Sequence, residues 1–130
     1  MTRQSGPGLP WLLESMVQRI PRTRCAVLLA SDGLVKAAYG TGTDTADALA
    51  AAASGLYSLS SALGTAMEDR GQVRQVVAEV GDTVVLVATG GAGTRLLVAA
   101  ERGADPAVLG YEMAGLAKSV GNHLTTPVRQ

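Results

Sequence analysis

The residues suited by type and spacing to do chemistry are few. Gly90-Gly91-Ala92-Gly93-Thr94-Arg95 invites reading as a phosphate-binding loop. That motif ends in Gly-Lys-Ser/Thr and opens a helix, because backbone N–H groups and the lysine together cradle the phosphates. Here the ending is absent and a strand-like run follows, so a hairpin loop is the better reading. Gly40-Thr41-Gly42 does precede a helical stretch, whose first N–H groups could hold an anion. Its glycines are too closely spaced for a dinucleotide fingerprint, and a flexible strand-to-helix link accounts for them. Asp32 and Asp44 could be imagined as paired carboxylates, yet Asp32 is explained by the turn it makes with Gly33. His123, the single histidine, falls in the last turn of a predicted helix, where partial positive charge is favoured. One His and one Cys cannot make a zinc site of the usual kind, and no serine lies in a Gly-x-Ser-x-Gly elbow. Arg95, at a predicted hairpin tip, could be offered as a finger inserted in trans into a phosphoryl-transfer site. A solvated hairpin arginine is the plainer reading. The expectation is no catalytic residue, no cofactor and no metal.

The elements around these residues belong to one domain with a real core, as 130 residues allow. With 47% hydrophobic residues, disorder is not the default. Eleven basic residues balance eleven acidic ones, so no net field draws the chain to nucleic acid or to an anionic membrane surface. Cys25 cannot form an intrachain disulfide, and a reduced, cytoplasmic setting fits. Met1 to Pro10 holds no apolar segment of signal-peptide type.

The predicted order is α-β-β-α-β-β-β-α. Residues 1–8 read as a flexible tail, 9–124 as the folded domain and 125–130 as a second tail. Pro10 suits the first turn of a helix lined by Leu13, Met16, Val17 and Ile20 and stopped by Pro21. Trp11 at its start is expected as a packing anchor. Arg24 to Ser31 is an apolar run of strand length, and Asp32-Gly33 predicts a type I′ hairpin into Leu34 to Tyr39. Gln72 to Val80 mixes apolar with charged residues, as an edge strand does. Thr83 to Thr89 is β-branched and apolar, which predicts an internal strand. Thr94 to Ala100 closes an antiparallel sheet. Asp105-Pro106 reads as N-cap and N1 of a last helix ending near Gly121-Asn122.

The most informative stretch is Asp44 to Arg70, one long helix capped by Asp44 or Thr45 and followed by Gly71 as a C′ residue. It has no charge from Ala48 to Met67. At about 100° per residue it separates into three stripes. Leu49, Ala53, Leu56, Ser60, Leu63 and Met67 carry the bulk and should lie on the core. Ala48, Ala52, Gly55, Leu59, Ala62 and Ala66 are mostly small, which suits close approach of a second helix. Asp47, Ala51, Ser54, Ser58, Ser61, Thr65 and Glu68 make a short, polar, weakly charged platform. An ordinary surface helix has a solvated face rich in Lys, Glu and Arg. This pattern points to interaction rather than catalysis. The competing readings are a helix buried in a three-layer monomer and a membrane span, for which the run is too weakly hydrophobic.

The order of elements, the strand ending in Ser31-Asp32-Gly33-Leu34-Val35 and the small-residue-rich helix together resemble the roadblock / dynein light-chain domain from about Leu9 to Leu124. The resemblance implies a five-stranded antiparallel sheet with the long helix on one face and two helices on the other, a sandwich also similar to profilin and longin domains. It implies a homodimer in which the long helix packs beside its twin. For a bacterial, actinobacterial-like version it implies a small Ras-like GTPase as partner, in a signalling module that also holds a sensor-kinase-like protein. Carried over, Ala48, Ala52, Gly55, Leu59, Ala62 and Ala66 form the dimer seam. The edge strand, with Val73, Gln75 and Val77, pairs with its copy, and Ser54, Ser58, Ser61 and Thr65 face the GTPase. The helical wheel leaves the last two stripes exchangeable. Two function classes follow: a non-enzymatic regulator or scaffold of a GTPase, without nucleic acid or membrane insertion, or a PAS/profilin-like sensor of a small ligand. The sensor needs a cavity with converging polar groups, whereas the inward positions are mostly Val, Leu and Ala.

Overall fold

The computed structural model describes residues 8–125. Apart from Gly8 and Thr125, the two expected tails lie outside them. Helix α1 spans Leu9–Arg19, strand β1 Thr23–Ala30 and β2 Val35–Tyr39, and helix α2 runs through Thr43–Ala66. Strands β3 Gln75–Val80, β4 Thr83–Thr89 and β5 Thr94–Glu101 follow, and α3 covers Pro106–Thr125. The strands form one antiparallel sheet in the order β2-β1-β5-β4-β3. This is the expected α+β architecture, with α2 on one face and α1 and α3 on the other.

Alternation along the strands builds both cores. Ala26 and Leu28 of β1, Leu86 of β4 and Leu96 and Val98 of β5 meet Leu13, Met16, Leu109, Met113 and Val120 from α1 and α3. The intervening residues Cys25, Val27, Leu29, Val87, Leu97 and Ala99 meet Ala46, Ala50 and Ala53 of α2. β1, β5 and β4 are covered on both faces, which is why they read as unbroken apolar runs. Leu13 and Met16 anchor α1, while Trp11 is half exposed and not the expected anchor.

Local chemistry sets the turns differently from expectation in four places. Among the described residues, only Gly33 of the Asp32-Gly33 pair has positive φ, +89°. The Gly33 N–H donates to the Ala30 carbonyl, and Ala30 and Leu34 re-pair beyond it. This is a three-residue loop with a left-handed third residue, not a type I′ turn. Asp32 Oδ1 accepts the Leu34 N–H at 3.0 Å. Helix α2 starts one residue earlier than expected, with Gly42 as N-cap and no side-chain cap. It ends at Ala66, not Arg70. Glu68, at φ +60°, takes the left-handed position foreseen for Gly71. Its N–H bonds to Thr65 and that of Asp69 to Gly64, which together satisfy two terminal carbonyls. Gly71 instead receives Asp69, whose Oδ1 accepts its N–H at 2.8 Å. The strand expected over 72–80 begins only at Gln75.

At the other end of the chain, Asp105 caps α3 as expected, accepting the Ala107 N–H at 2.9 Å. The helix continues through Gly121 to Thr125 instead of stopping. Gly121 lies against Gly91 of the β4–β5 loop, so closely that a Cβ on Gly91 would collide with the Gly121 backbone. Glycine there serves close approach rather than helix termination.

Candidate interaction surface

Helix α2 carries the surface that the fold leaves open. Its 24 residues span about 36 Å at 1.5 Å per residue. Five strands spaced about 4.8 Å apart make a sheet roughly 20 Å across. The helix touches all five strands, yet it outruns them. Ala46, Ala50 and Ala53 are buried, with Leu49 and Leu56 partly buried beside them. Short side chains at those positions let the helix axis come close to the sheet. Beyond Tyr57 most of the helix is exposed.

This overhang corrects the assignment of the bulky stripe. Leu49, Ala53 and Leu56 do lie on the core, but Leu63 is 67% exposed and Met67 77%. With Leu59, 68% exposed, they form an i, i+4, i+8 apolar row on the free half of the helix. Ala48, Ala52, Gly55, Ala62 and Ala66 are exposed as well. The outer face of α2 is therefore apolar, small-grained and uncharged. A contiguous apolar face of this kind marks an interaction site, whereas scattered exposed leucines would not.

The residues assigned to a polar platform divide. Ser58, Ser61 and Thr65 are exposed. The Ser54 hydroxyl instead turns inward: it is buried, finds no hydrogen-bond partner among the described residues and would lie 3.0 Å from a Cβ at Gly33. Its place is against the β1–β2 turn, away from the outer face.

The β3 edge is the second open element. β3 pairs only with β4, so its other side presents unpaired backbone groups, a template for another strand. Val76, Ala78 and Val80 share the α2 face and Gln75, Val77 and Glu79 the opposite one, by register with β4. Val77 and Val80 are exposed. Gln75 reaches the first turns of α3 beside Gly110. Val73 precedes the strand, and its carbonyl accepts the Thr89 hydroxyl at 2.8 Å.

Arg95 is neither a free finger nor a solvated tip. It lies within β5, half-buried, on the α2 face between Thr94 and Leu96. Its guanidinium stacks on the Tyr57 ring at 3.8 Å from the centroid. Tyr57, the one aromatic residue of α2, belongs to none of the three stripes, and an aromatic among serines and alanines is its only sequence signal. A polar cleft of about 320 Å³ opens beside the pair. A larger one, about 540 Å³, sits at the carboxyl end of α2 between Ser61, Thr65, Glu68 and Arg70.

Burial pushes the Cys25 thiol up, partly opposed by the Arg24 charge and a hydrogen bond from the Ala99 backbone, so the nucleophilic thiolate is suppressed. Among the described residues, no three His, Cys, Asp or Glu side chains could share a metal ion. In the same span no helix is long and apolar enough to cross a membrane.

The fold is an α-β-α sandwich with an uncharged helix face and two edge strands, β2 and β3. The family model described as the Roadblock/LC7 domain matches residues 9–100, and the chain belongs to that family. A Roadblock/LC7 domain crystal structure from Streptomyces avermitilis is 54% identical, covering 92% of this chain and 100% of that one, with a TM-score of 0.87. A second domain from the same organism is 34% identical over 88% of this chain and 99% of its own, at 0.71. Myxococcus xanthus MglB has the same fold at 10% identity, covering 92% and 96% with a TM-score of 0.78. Among curated proteins no relative matches.

Proposed function

We propose that the protein is a non-enzymatic, homodimeric regulator or scaffold that binds a small Ras-like GTPase in a cytoplasmic signalling module, with a sensor-kinase-like protein as a further member. Membership of the roadblock family supports a regulatory rather than a catalytic role. The observation that carries the reading is the outer face of α2, uncharged from Ala48 to Met67 and exposed along Leu59, Leu63 and Met67. In the dimer two copies of α2 lie side by side through Ala48, Ala52, Gly55, Leu59, Ala62 and Ala66. The β3 edges pair near Val73, Gln75 and Val77. The GTPase docks on Ser58, Ser61 and Thr65, with Ser54 behind them as support.

Calorimetry against a small Ras-like GTPase from the same organism, loaded with each nucleotide, tests the reading. Wild type should bind with a preference for one nucleotide state. Ser58→Arg places an unpaired charge in a flat interface, where desolvation is costly. That variant should stay dimeric and equally heat-stable yet lose the GTPase. Undiminished binding by Ser58→Arg moves the site elsewhere. Absence of wild-type binding in both states removes the GTPase reading and favours the small-ligand sensor.

A further inference from the structure

We propose that the cleft beside Tyr57 and Arg95 is a carboxylate-binding site, and that it takes an Asp or Glu side chain of the protein docked on α2. The second half rests on the function proposed above. Arg95 has no ion pair and no side-chain hydrogen bond among the described residues. Its Nε is closed off from solvent without an acceptor. A guanidinium cannot shed its charge, and leaving one of its N–H groups desolvated and unpaired is costly. The Nη groups are not closed off, and an anion that pairs with them from the cleft offsets the desolvation of the whole cation.

The surroundings hold the guanidinium without neutralising it. The Tyr57 ring fixes its plane by a cation–π stack at 3.8 Å. Neither Asp32 nor Asp69, in the turns next to Ser31 and Gln72, forms an ion pair with it; they accept the Leu34 and Gly71 N–H groups. Ser31 and Gln72 line the cleft with further polar groups, the Gly93 backbone borders it, and the Thr94 hydroxyl is held by the Gly91 carbonyl. A single oriented guanidinium fits one planar carboxylate through paired N–H donors. A polyphosphate would call for several cations.

Position selects a protein side chain as the source. Tyr57 lies one turn from Ser61 on the helix surface. Gln72 lines this cleft and also the adjoining one that contains Ser60 and Ser61. A partner seated on the exposed serines therefore has the Arg95 cleft at the margin of its footprint.

Two measurements decide the matter. In the first, the Arg95 Nε–H resonance of ¹⁵N-labelled protein is followed during titration with sodium acetate, with sodium chloride at equal ionic strength as control. We expect a saturable, acetate-specific shift at Arg95, none at Arg102, and its loss in Tyr57→Leu. No acetate-specific shift overturns the site. In the second, calorimetry with the same Ras-like GTPase compares wild type, Arg95→Gln and Arg95→Lys. Loss of a charged hydrogen-bonded pair should weaken binding roughly ten- to a hundredfold in Arg95→Gln. Arg95→Lys, which keeps charge but not the fork, should recover only part of it. Wild-type affinity in Arg95→Gln overturns the partner assignment. If wild type fails to bind the GTPase, the function proposed above falls separately. An acetate response would then support the carboxylate site while overturning the docked side chain as its ligand.

Discussion

Replacing Gly55 with leucine separates the strain of a dimer seam from the stability of the single chain. A Cβ at Gly55 meets nothing within 4 Å, and the residue is exposed on α2. Within one protomer the new Cβ is therefore accommodated freely on an exposed helix face, and removing a mid-helix glycine gains about 0.5–1 kcal/mol. Across a close helix pair the same four carbons overpack the contact, at about 1–3 kcal/mol. At about 1.4 kcal/mol per decade this is roughly a five- to 150-fold weaker dimer. Ser58→Leu adds similar bulk at an exposed position that the proposed seam does not use, and its dimer should stay near wild type. Sedimentation equilibrium over a concentration series measures all three dissociation constants. Thermal melts at high dilution check that Gly55→Leu has not lost the fold. Equal dissociation constants for the two variants would refute the assignment of stripes, and a wild type monomeric at micromolar concentration would remove the seam altogether.

Two further outcomes concern the fold. Gly91→Ala drives a methyl into the Gly121 backbone and should lower stability by about 1–3 kcal/mol. Gly115→Ala, open on all sides, should be neutral or stabilising, and urea melts compare the two. Because burial raises the Cys25 pKa, the unfolded thiol ionises first as pH climbs past about 8.5. The contribution of the neutral thiol is thus intact below that value and falls away as pH rises through the folded pKa. Urea melts at about pH 7.5 and about pH 9.5 should show a steeper loss for wild type than for Cys25→Ala, and parallel losses would contradict it.

Elements whose cause lies within a few residues were legible in the chain. The Asp105-Pro106 start of α3 needs only its own side chain and ring. The apolar runs of β1, β4 and β5 record burial on two faces, and the charged β3 records an edge. The absence of charge from Ala48 to Met67 set α2 apart from an ordinary surface helix, because solvent normally rewards Lys and Glu there. Ends of elements were less legible. The left-handed residue closing α2 is Glu68 rather than Gly71, since the chain's turn toward β3 outweighs local preference for glycine.

Only the tertiary structure could decide which side of α2 is covered and where the cover stops. Helical periodicity sorts residues by angle, but the width of the sheet beneath determines how many turns are supported. Leu49 and Leu63 share a stripe; one packs on the sheet and the other stands clear of it. Arg95 and Tyr57 are 38 positions apart, and nothing local pairs an arginine after a glycine loop with a tyrosine in a serine run. Packing α2 over β5 brings them together, just as packing α3 against the β4–β5 loop brings Gly91 to Gly121. The chemistry of each residue was present in the chain from the start, while the neighbours that give it a use exist only once the sheet has both its faces covered.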